Sequence, residues 1–347
     1  MTAKRILLIG DFGRSGFGAP YYNTNFALHA GFVRAGCHVL PFSDRDTARE
    51  ASMLGRKGLG RGAMNKALVD TAHTYQPHLI LFGHADMTAP ATFDSLRRSV
   101  PGARLAQFNV DALFRSATMA RFRDRATHVD LSFITTASPE RLRAIGAPPG
   151  TIAYFPNPVD SGIAVHDLSQ VARGDVAYDG IFLGTPIERR EEQVDALAAH
   201  LSPDFRFYAG GGVRGSARLT GPRYLETLAS ATMSPNLPLD HSVPVDFLYS
   251  SDRLAHLLCH AIVPFCPAES GLETLYEDGI VTYMDLEDLA DKMHRLAEDD
   301  TQRRAIAAKG KRLGVDRTGA DRVARYMLDM VLGEGPTTDY GWPSDRI

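Results

Sequence analysis

Along the chain, short runs of consecutive apolar residues alternate with longer stretches in which apolar positions recur every three or four, the pattern of buried strands alternating with helices. Residues 5–9, Arg-Ile-Leu-Leu-Ile, form the first run and stop at a glycine-rich turn over 10–18; a helical pattern follows over 23–35, and 36–40 starts the next strand. Further strands are predicted at 78–82, 104–108, 131–135 and 151–155, each followed by turn formers and a helical segment. That order predicts a parallel, Rossmann-like sheet. The turn-dense stretch 156–162 closes the series and marks a connection to a second one. There a strand over 176–183 ends in Gly184-Thr185-Pro186, a helix covers 188–200, and a strand over 205–208 enters Gly210-Gly211-Gly212. Over 286–297 a helix is predicted, with Leu286, Leu289, Met293 and Leu296 on one stripe and Asp285 as its N-cap. The tail, 333–347, is rich in Gly, Pro and polar residues and holds the only tryptophan, Trp342; it is expected to be loose or to lie across a neighbouring surface. The predicted division is 1–165, 166–318, and 319–347 as a C-terminal helix with a loose tail.

A length of 347 residues with 44% hydrophobic and 23% charged residues suits two globular domains. No apolar run approaches the ~18 residues of a membrane helix, and 4–10 lacks the length and cleavage site of a signal peptide, so the cytoplasm is the expected compartment. Cys37, Cys259 and Cys266 fit no zinc or redox spacing and are expected to be reduced and buried. Residues 1–165 hold 19 Lys+Arg against 12 Asp+Glu, a charge of +7, whereas the remainder holds 19 against 29, a charge of −10. The split reads as an anionic partner on the N-terminal side, or as scattered surface charge. Basic residues recur at Arg45, Arg49, Arg56, Lys57, Arg61 and Lys66, and again at Arg115, Arg121, Arg123 and Arg125 with Phe114 and Phe122 between them. They are either solvated helix faces or the footprint of an anionic or lipid-linked acceptor or of peripheral contact with a membrane, at its inner face; the near-neutral balance argues against nucleic acid.

From Ser251 to Arg322 the segments Ser251-Asp252-Arg253-Leu254, 271–279, 283–289 and 303–310 stand in an order that resembles the nucleotide-binding C-terminal domain of GT-B type glycosyltransferases. The order resembles especially the branch similar to the spore-coat CgeB proteins, a CgeB-like or group 1 family. In the N-terminal half, 32–39 resembles the family's first helix and second strand, and 130–133 with 154–160 the approach to its hinge; 181–184 followed by 188–190 resembles the first strand and basic donor-side loop of the second domain. The resemblance implies an α/β protein of two Rossmann-like domains facing each other across a cleft. It implies metal-independent transfer of a hexosyl or related group from a nucleoside diphosphate sugar, the donor substrate, to a glycan, lipid-linked or protein acceptor, with no tightly bound cofactor. One departure stands out. Many retaining members carry two glutamates where this chain has Leu248 and His256, so ribose recognition would fall to Glu269 or Glu273. A nucleotide-sugar epimerase of the same fold and a catalytically inactive sugar-nucleotide-binding protein are the alternatives.

A diphosphate leaving group gains charge as the glycosidic bond breaks, so a metal-free site needs cations or backbone N–H groups aimed at it. On the donor side these are Arg189, Arg190 and Arg253, with Ser251 beside the last; Gly184, Gly210 and Gly211 would let backbone approach the nucleotide, or form a plain turn. The loop 10–18 opens a helix, and its N–H groups are candidates for an anion, with Gly13, Arg14 and Gly16 on the acceptor side; its glycine spacing is not the dinucleotide fingerprint. A general base belongs at the C-terminal end of an N-domain strand, where Asp11, His84, Asp86 and Asp111 stand, the carboxylates Asp11 and Asp111 ahead of His84.

Overall fold

A computed structural model describes residues 3–187, 189–238, 240, 242–333 and 335–347. The chain forms two units, unit 1 from Met1–Pro158 with Ala320–Ile347 and unit 2 from Val159–Gly319.

Unit 1 runs β1 (Arg5–Gly10), α1 (Thr24–Arg34), β2 (His38–Ser43), α2 (Asp44–Glu50), α3 (Arg61–Tyr75), β3 (Leu79–Phe82), α4 (Pro90–Ser99), β4 (Arg104–Asn109), α5 (Ser116–Ala126), β5 (Leu131–Ile134), α6 (Pro139–Arg143) and β6 (Ile152–Tyr154). The six strands are parallel in the order β2-β1-β3-β4-β5-β6, with Ile6 opposite Val39 on one side and Leu79 on the other. Covered on both faces, β1 after Arg5 and all of β3 are apolar: Ile6–Ile9 and Leu79–Phe82 are fully buried. The chain then passes through unit 2: β7 (Tyr178–Leu183), α7 (Arg190–His200), β8 (Phe207–Arg214), α8 (Pro222–Leu228), β9 (Ala231–Pro235), α9 (Asp252–Cys259), β10 (Val263–Pro267), α10 (Glu273–Tyr276), β11 (Val281–Tyr283), α11 (Leu286–Glu298) and α12 (Asp300–Thr318). Its five strands are parallel in the order β11-β10-β9-β7-β8, the same winding scheme. The Asp285 carboxylate caps α11 by accepting from Asp288 N at 2.9 Å, and Leu289, Met293 and Leu296 are buried below it.

The chain returns to unit 1 as α13 (Ala320–Leu332). This helix crosses α1 so closely that a Cβ on Gly31 would lie 2.2 Å from the Ala320 carbonyl oxygen, so only glycine fits. The tail follows the second of its two expectations and lies across unit 1. Its last residue exchanges both backbone hydrogen bonds with Ile152 of β6 (3.0 and 2.8 Å), and Tyr340 and Trp342 pack edge-on to Tyr326 at 5.1 and 5.4 Å.

Two local readings change. Helix α7 begins at Arg190, and Glu188, where its start is predicted, lies outside the described residues. Strand β8 does not stop at the glycines but runs through them to Arg214. A Cβ on Gly211 would sit 3.0 Å from Gly184 N and one on Gly212 2.9 Å from the Pro186 ring, so the triplet is where the exit of β7 lies against its neighbour. At the other end of β7, Asp179 is fully buried and held by Arg173 (2.7 and 2.9 Å) and Arg206 (2.6 Å), which outweigh the effect of burial and pull its carboxyl down to about 2. Cys259 and Cys266 are buried as expected, whereas Cys37 is half-buried. Among the described residues no helix is long and apolar enough to cross a membrane.

Candidate functional site

In each sheet the winding reverses beside the first strand, between β1 and β3 in unit 1 and between β7 and β9 in unit 2. Open parallel sheets bind ligands outside the carboxyl ends of the strands at such points.

In unit 2 this edge is built from arginine, glycine and aromatic rings. Arg253 lies in the first turn of α9, whose start is fixed by Ser251: the Ser251 hydroxyl accepts from Leu254 N at 3.5 Å and donates to Asn236 Oδ1 at 3.3 Å. From there the Arg253 side chain reaches back to β7. Its Nε donates to the Leu183 carbonyl at 3.2 Å and its guanidinium lies 4.4 Å from the centre of the Phe182 ring. Among the described residues Arg253 forms no ion pair, and burial pushes its pKa down, with the phenols of Tyr224, Tyr249 and Tyr283 around it. Gly184 makes room for this arrangement: a Cβ there would lie 2.9 Å from the Phe182 ring and 3.1 Å from Arg253 Nη2. Arg190, buried at the start of α7, brings a second guanidinium to within 5.7 Å of the same ring centre. Arg189 is not brought in; it is half-exposed and donates to Glu192 Oε2 at 2.7 Å within its own helix turn. Gly210 contributes its carbonyl, which accepts from Gly184 N at 2.9 Å.

Beyond the carboxyl ends of β10 and β11 opens a cavity of about 720 Å³, walled by Pro238, Val243 to Val245, Tyr283 and Met284, with Glu192, Gln193, Ser242, Glu269 and Asp285 among its polar members. Its size and mixed lining are those of a small-molecule pocket. Glu269 is exposed on its wall, whereas Glu273, also exposed, stands outside the lining at the start of α10. Pro238 and Val243 to Val245 were not singled out from the sequence; the prolines and valines after a strand were the available signal. His256, in the place of the second family glutamate, is buried one turn along α9 from Arg253, its Nδ1 3.0 Å from the Tyr224 hydroxyl.

In unit 1 the same edge is occupied by paired charges. Asp11 follows β1; its Oδ1 accepts from Gly13 N at 2.9 Å and its Oδ2 lies 3.3 Å from Arg45 Nη1. Arg45 also bonds Asp86 at 2.9 Å, and Lys57 stands 3.6 Å from the same carboxylate. Burial alone would raise Asp86, but the Arg45 hydrogen bond and the two cations hold it below the ordinary carboxylate value. Both Asp11 oxygens are thus engaged, one by the Gly13 amide and the other by Arg45. His84 and Asp111 are the less committed pair, His84 Nε2 lying 3.9 Å from Asp111 Oδ2, with Arg115 3.7 Å from the other oxygen. Arg125 is structural, not an acceptor contact: it donates to the carbonyls of Gly83, His84 and Ala85 at 2.9–3.2 Å, and burial lowers it to about 10. The glycine loop is not an open anion cradle either. The amides of Gly13, Arg14, Gly16, Phe17 and Gly18 are all engaged, that of Arg14 by Asp46 at 2.9 Å and that of Gly16 by the Gly13 carbonyl at 3.0 Å.

The two Rossmann-like units define the GT-B fold of glycosyltransferases. Residues 189–329 match the family model described as Glycosyl transferase-like. Among solved structures, Anabaena HepE in complex with UDP and glucose superposes with a TM-score of 0.60 at 14% identity, over 94% of this chain and 98% of that one. Sucrose-phosphate synthase from Thermosynechococcus elongatus gives 0.63 at 15% identity over 93% and 97%, and the lipopolysaccharide outer core galactosyltransferase WaaB 0.56 at 12% over 94% and 98%. No curated protein matches the chain by sequence.

Proposed function

We propose that the protein transfers a hexosyl or related group from a nucleoside diphosphate sugar to a hydroxyl acceptor, without a metal, unit 2 carrying the donor and unit 1 the acceptor. The observation that supports this best is Arg253, a guanidinium pinned beside Gly184 with no carboxylate paired to it among the described residues. A cation drawn out of water without a counter-ion is costly, and a diphosphate would supply the missing charge. The adjoining cavity takes the base and ribose, Tyr283 offering a ring and Glu269 a carboxylate for the ribose hydroxyls.

In this reading the bond between the sugar's anomeric carbon and the diphosphate oxygen breaks as the acceptor oxygen bonds to that carbon. Arg253 and Arg190 take up the leaving-group charge, and His84, oriented by Asp111, accepts the acceptor's proton. Their 3.9 Å separation exceeds a hydrogen bond, as catalytic contacts often do before substrate binds. Leu248 and His256 at the expected glutamate positions favour a second reading, a protein that binds the sugar nucleotide without transferring it.

UDP is the first ligand to titrate, since HepE, similar in fold, is known in complex with UDP-glucose. Binding by calorimetry in the presence of a chelator is the expected result. Loss of binding on chelation, restored by magnesium, overturns the metal-free site; binding of UDP-sugars with neither transfer nor slow hydrolysis selects the second reading, and conversion of the sugar without an acceptor selects an epimerase.

A further inference from the structure

The exposed apolar side chains of this protein are concentrated. Among the described residues nine large hydrophobic side chains are exposed, and four of them, Phe17 (101%), Met53 (105%), Leu54 (69%) and Leu59 (69%), fall within 12–22 and 51–61 of unit 1. Those two stretches contain Arg14, Arg56, Lys57 and Arg61 and no acidic residue. They are neighbours in space because both are anchored on α2. Arg14 N donates to Asp46 and its guanidinium to Thr47 (3.2 Å) and Glu50 (3.1 Å), while 51–60 continues from the end of α2 and returns so close that a Cβ on Gly60 would overlap the Ala48 carbonyl oxygen.

Local hydrogen bonds hold the apolar side chains outward. Phe17, at φ +53, is fixed at the tip of its loop by Phe17 N donating to Arg14 O at 3.1 Å and Gly18 N to Gly13 O at 2.9 Å. In the other loop the Ser52 hydroxyl accepts from Leu54 N and Arg56 N, both at 3.3 Å, and Leu59 N donates to Arg56 O at 3.0 Å. The cap geometry accounts for the left-handed backbone of Phe17, but not for a large aromatic side chain shown wholly to water. Arg56 is exposed and forms no ion pair among the described residues; Arg14 and Lys57 stay about half exposed despite Glu50 and Asp86. Apolar side chains interleaved with cations, of which Arg14 and Lys57 are only partly offset by Glu50 and Asp86, on the half of the chain that carries +7, match a surface that is apolar within and anionic at its rim.

We propose that this face docks unit 1 on an anionic lipid bilayer, Phe17, Met53, Leu54 and Leu59 entering the acyl boundary and Arg56 and Lys57 meeting lipid phosphates. The inference does not rest on sugar transfer, because docking needs no turnover. The test is co-sedimentation of the full chain with vesicles of phosphatidylcholine alone or mixed with phosphatidylglycerol. Binding should require the anionic lipid and weaken with salt; Arg56→Gln/Lys57→Gln should weaken it by about fivefold per charge. Combined Phe17→Ser, Met53→Ser, Leu54→Ser and Leu59→Ser should weaken it tenfold or more. An independent readout is an environment-sensitive fluorophore on Met53→Cys, which should shift to the blue on anionic vesicles, whereas one on Val33→Cys, at the far end of α1, should not. Equal binding to both vesicle types, no shift at Met53→Cys, or a self-association in sedimentation that the serine variants abolish would each overturn the proposal, the last by assigning the face to a second copy of the chain.

Discussion

At the carboxyl ends of β1 and β3 in unit 1, Arg45 lies between Asp11 and Asp86 and Arg125 is spent on three carbonyls; at the matching ends of β7 and β9 in unit 2, Arg253 has one carbonyl and an aromatic ring. Strand order is the same in both units, so topology does not make this difference. A parallel sheet supplies a place for a ligand; the residues after each strand decide whether that place carries net charge to offer it. In unit 1 the cations Arg45 and Lys57 are paired with carboxylates at this edge, whereas in unit 2 Arg253 has no ion pair among the described residues.

The amino end of β7 gives the sharpest control on this comparison, because there arginines do have their carboxylate. Asp179→Asn should cost about 3 kcal/mol of stability, the scale of a broken buried ion pair, while leaving UDP affinity unchanged. The pH dependence has a defined sign. Asp179 is held at about 2 against about 3.9 in an unfolded chain, so its contribution is complete above pH ~4 and is lost as pH falls through ~2. Denaturant unfolding of the wild type and the variant from pH 7 to pH 2 should converge at the acid end; curves that stay parallel would remove the ion pair from the account.

His84→Ala or Asp111→Asn should lower turnover by about 100-fold with donor affinity intact, while Asp11→Asn, already neutralised by Arg45, should change turnover only a few-fold. Near-normal turnover in both of the first two variants would return the base to Asp11 or to a route without one. Arg253→Ala should weaken UDP by about 1.5–3 kcal/mol and uridine far less, and Arg45→Ala should leave UDP binding alone. Equal losses for UDP and uridine would mean that Arg253 shapes the pocket and not the phosphate site. The smallest effect belongs to Gly184→Ala, where the new methyl must displace the Phe182 ring or the Arg253 guanidinium; a loss of about 1 kcal/mol in UDP affinity, absent in an Arg253→Ala background, would show that the glycine acts through the arginine.

Elements that depend on neighbours in sequence were legible there. The buried runs of β1 and β3, the Asp285 cap and the stripe of α11 follow from local pattern; the collinear segments after Ser251 led to Arg253, and the basic run after 181–184 led to Arg190. What could not be read depends on residues brought together by folding. Arg45 reaches Asp11 and Asp86 across 34 and 41 positions, which turns the favoured base into half of an ion pair. The cavity wall formed by Pro238 and Val243 to Val245 has no periodicity because its apolar residues line a space and pack no core. The glycine triplet looked like a turn because the chain shows its own flexibility but not the backbone at Gly184 that requires it. Arg189 and Arg190, adjacent in sequence, part company because helix geometry turns one toward Phe182 and the other toward solvent.

The return of α13 to unit 1 carries a consequence for how the protein is made. Unit 2 is one uninterrupted stretch, so a growing chain can close its core as soon as Gly319 leaves the ribosome. Unit 1 begins first but finishes last, because the surface of α1 around Gly31 stays open until Ala320 and the buried Val323, Tyr326, Met327 and Met330 have been synthesised. A chain ending at Gly319 and released from the ribosome should therefore be one in which a protease degrades the earlier-made unit and spares the later one.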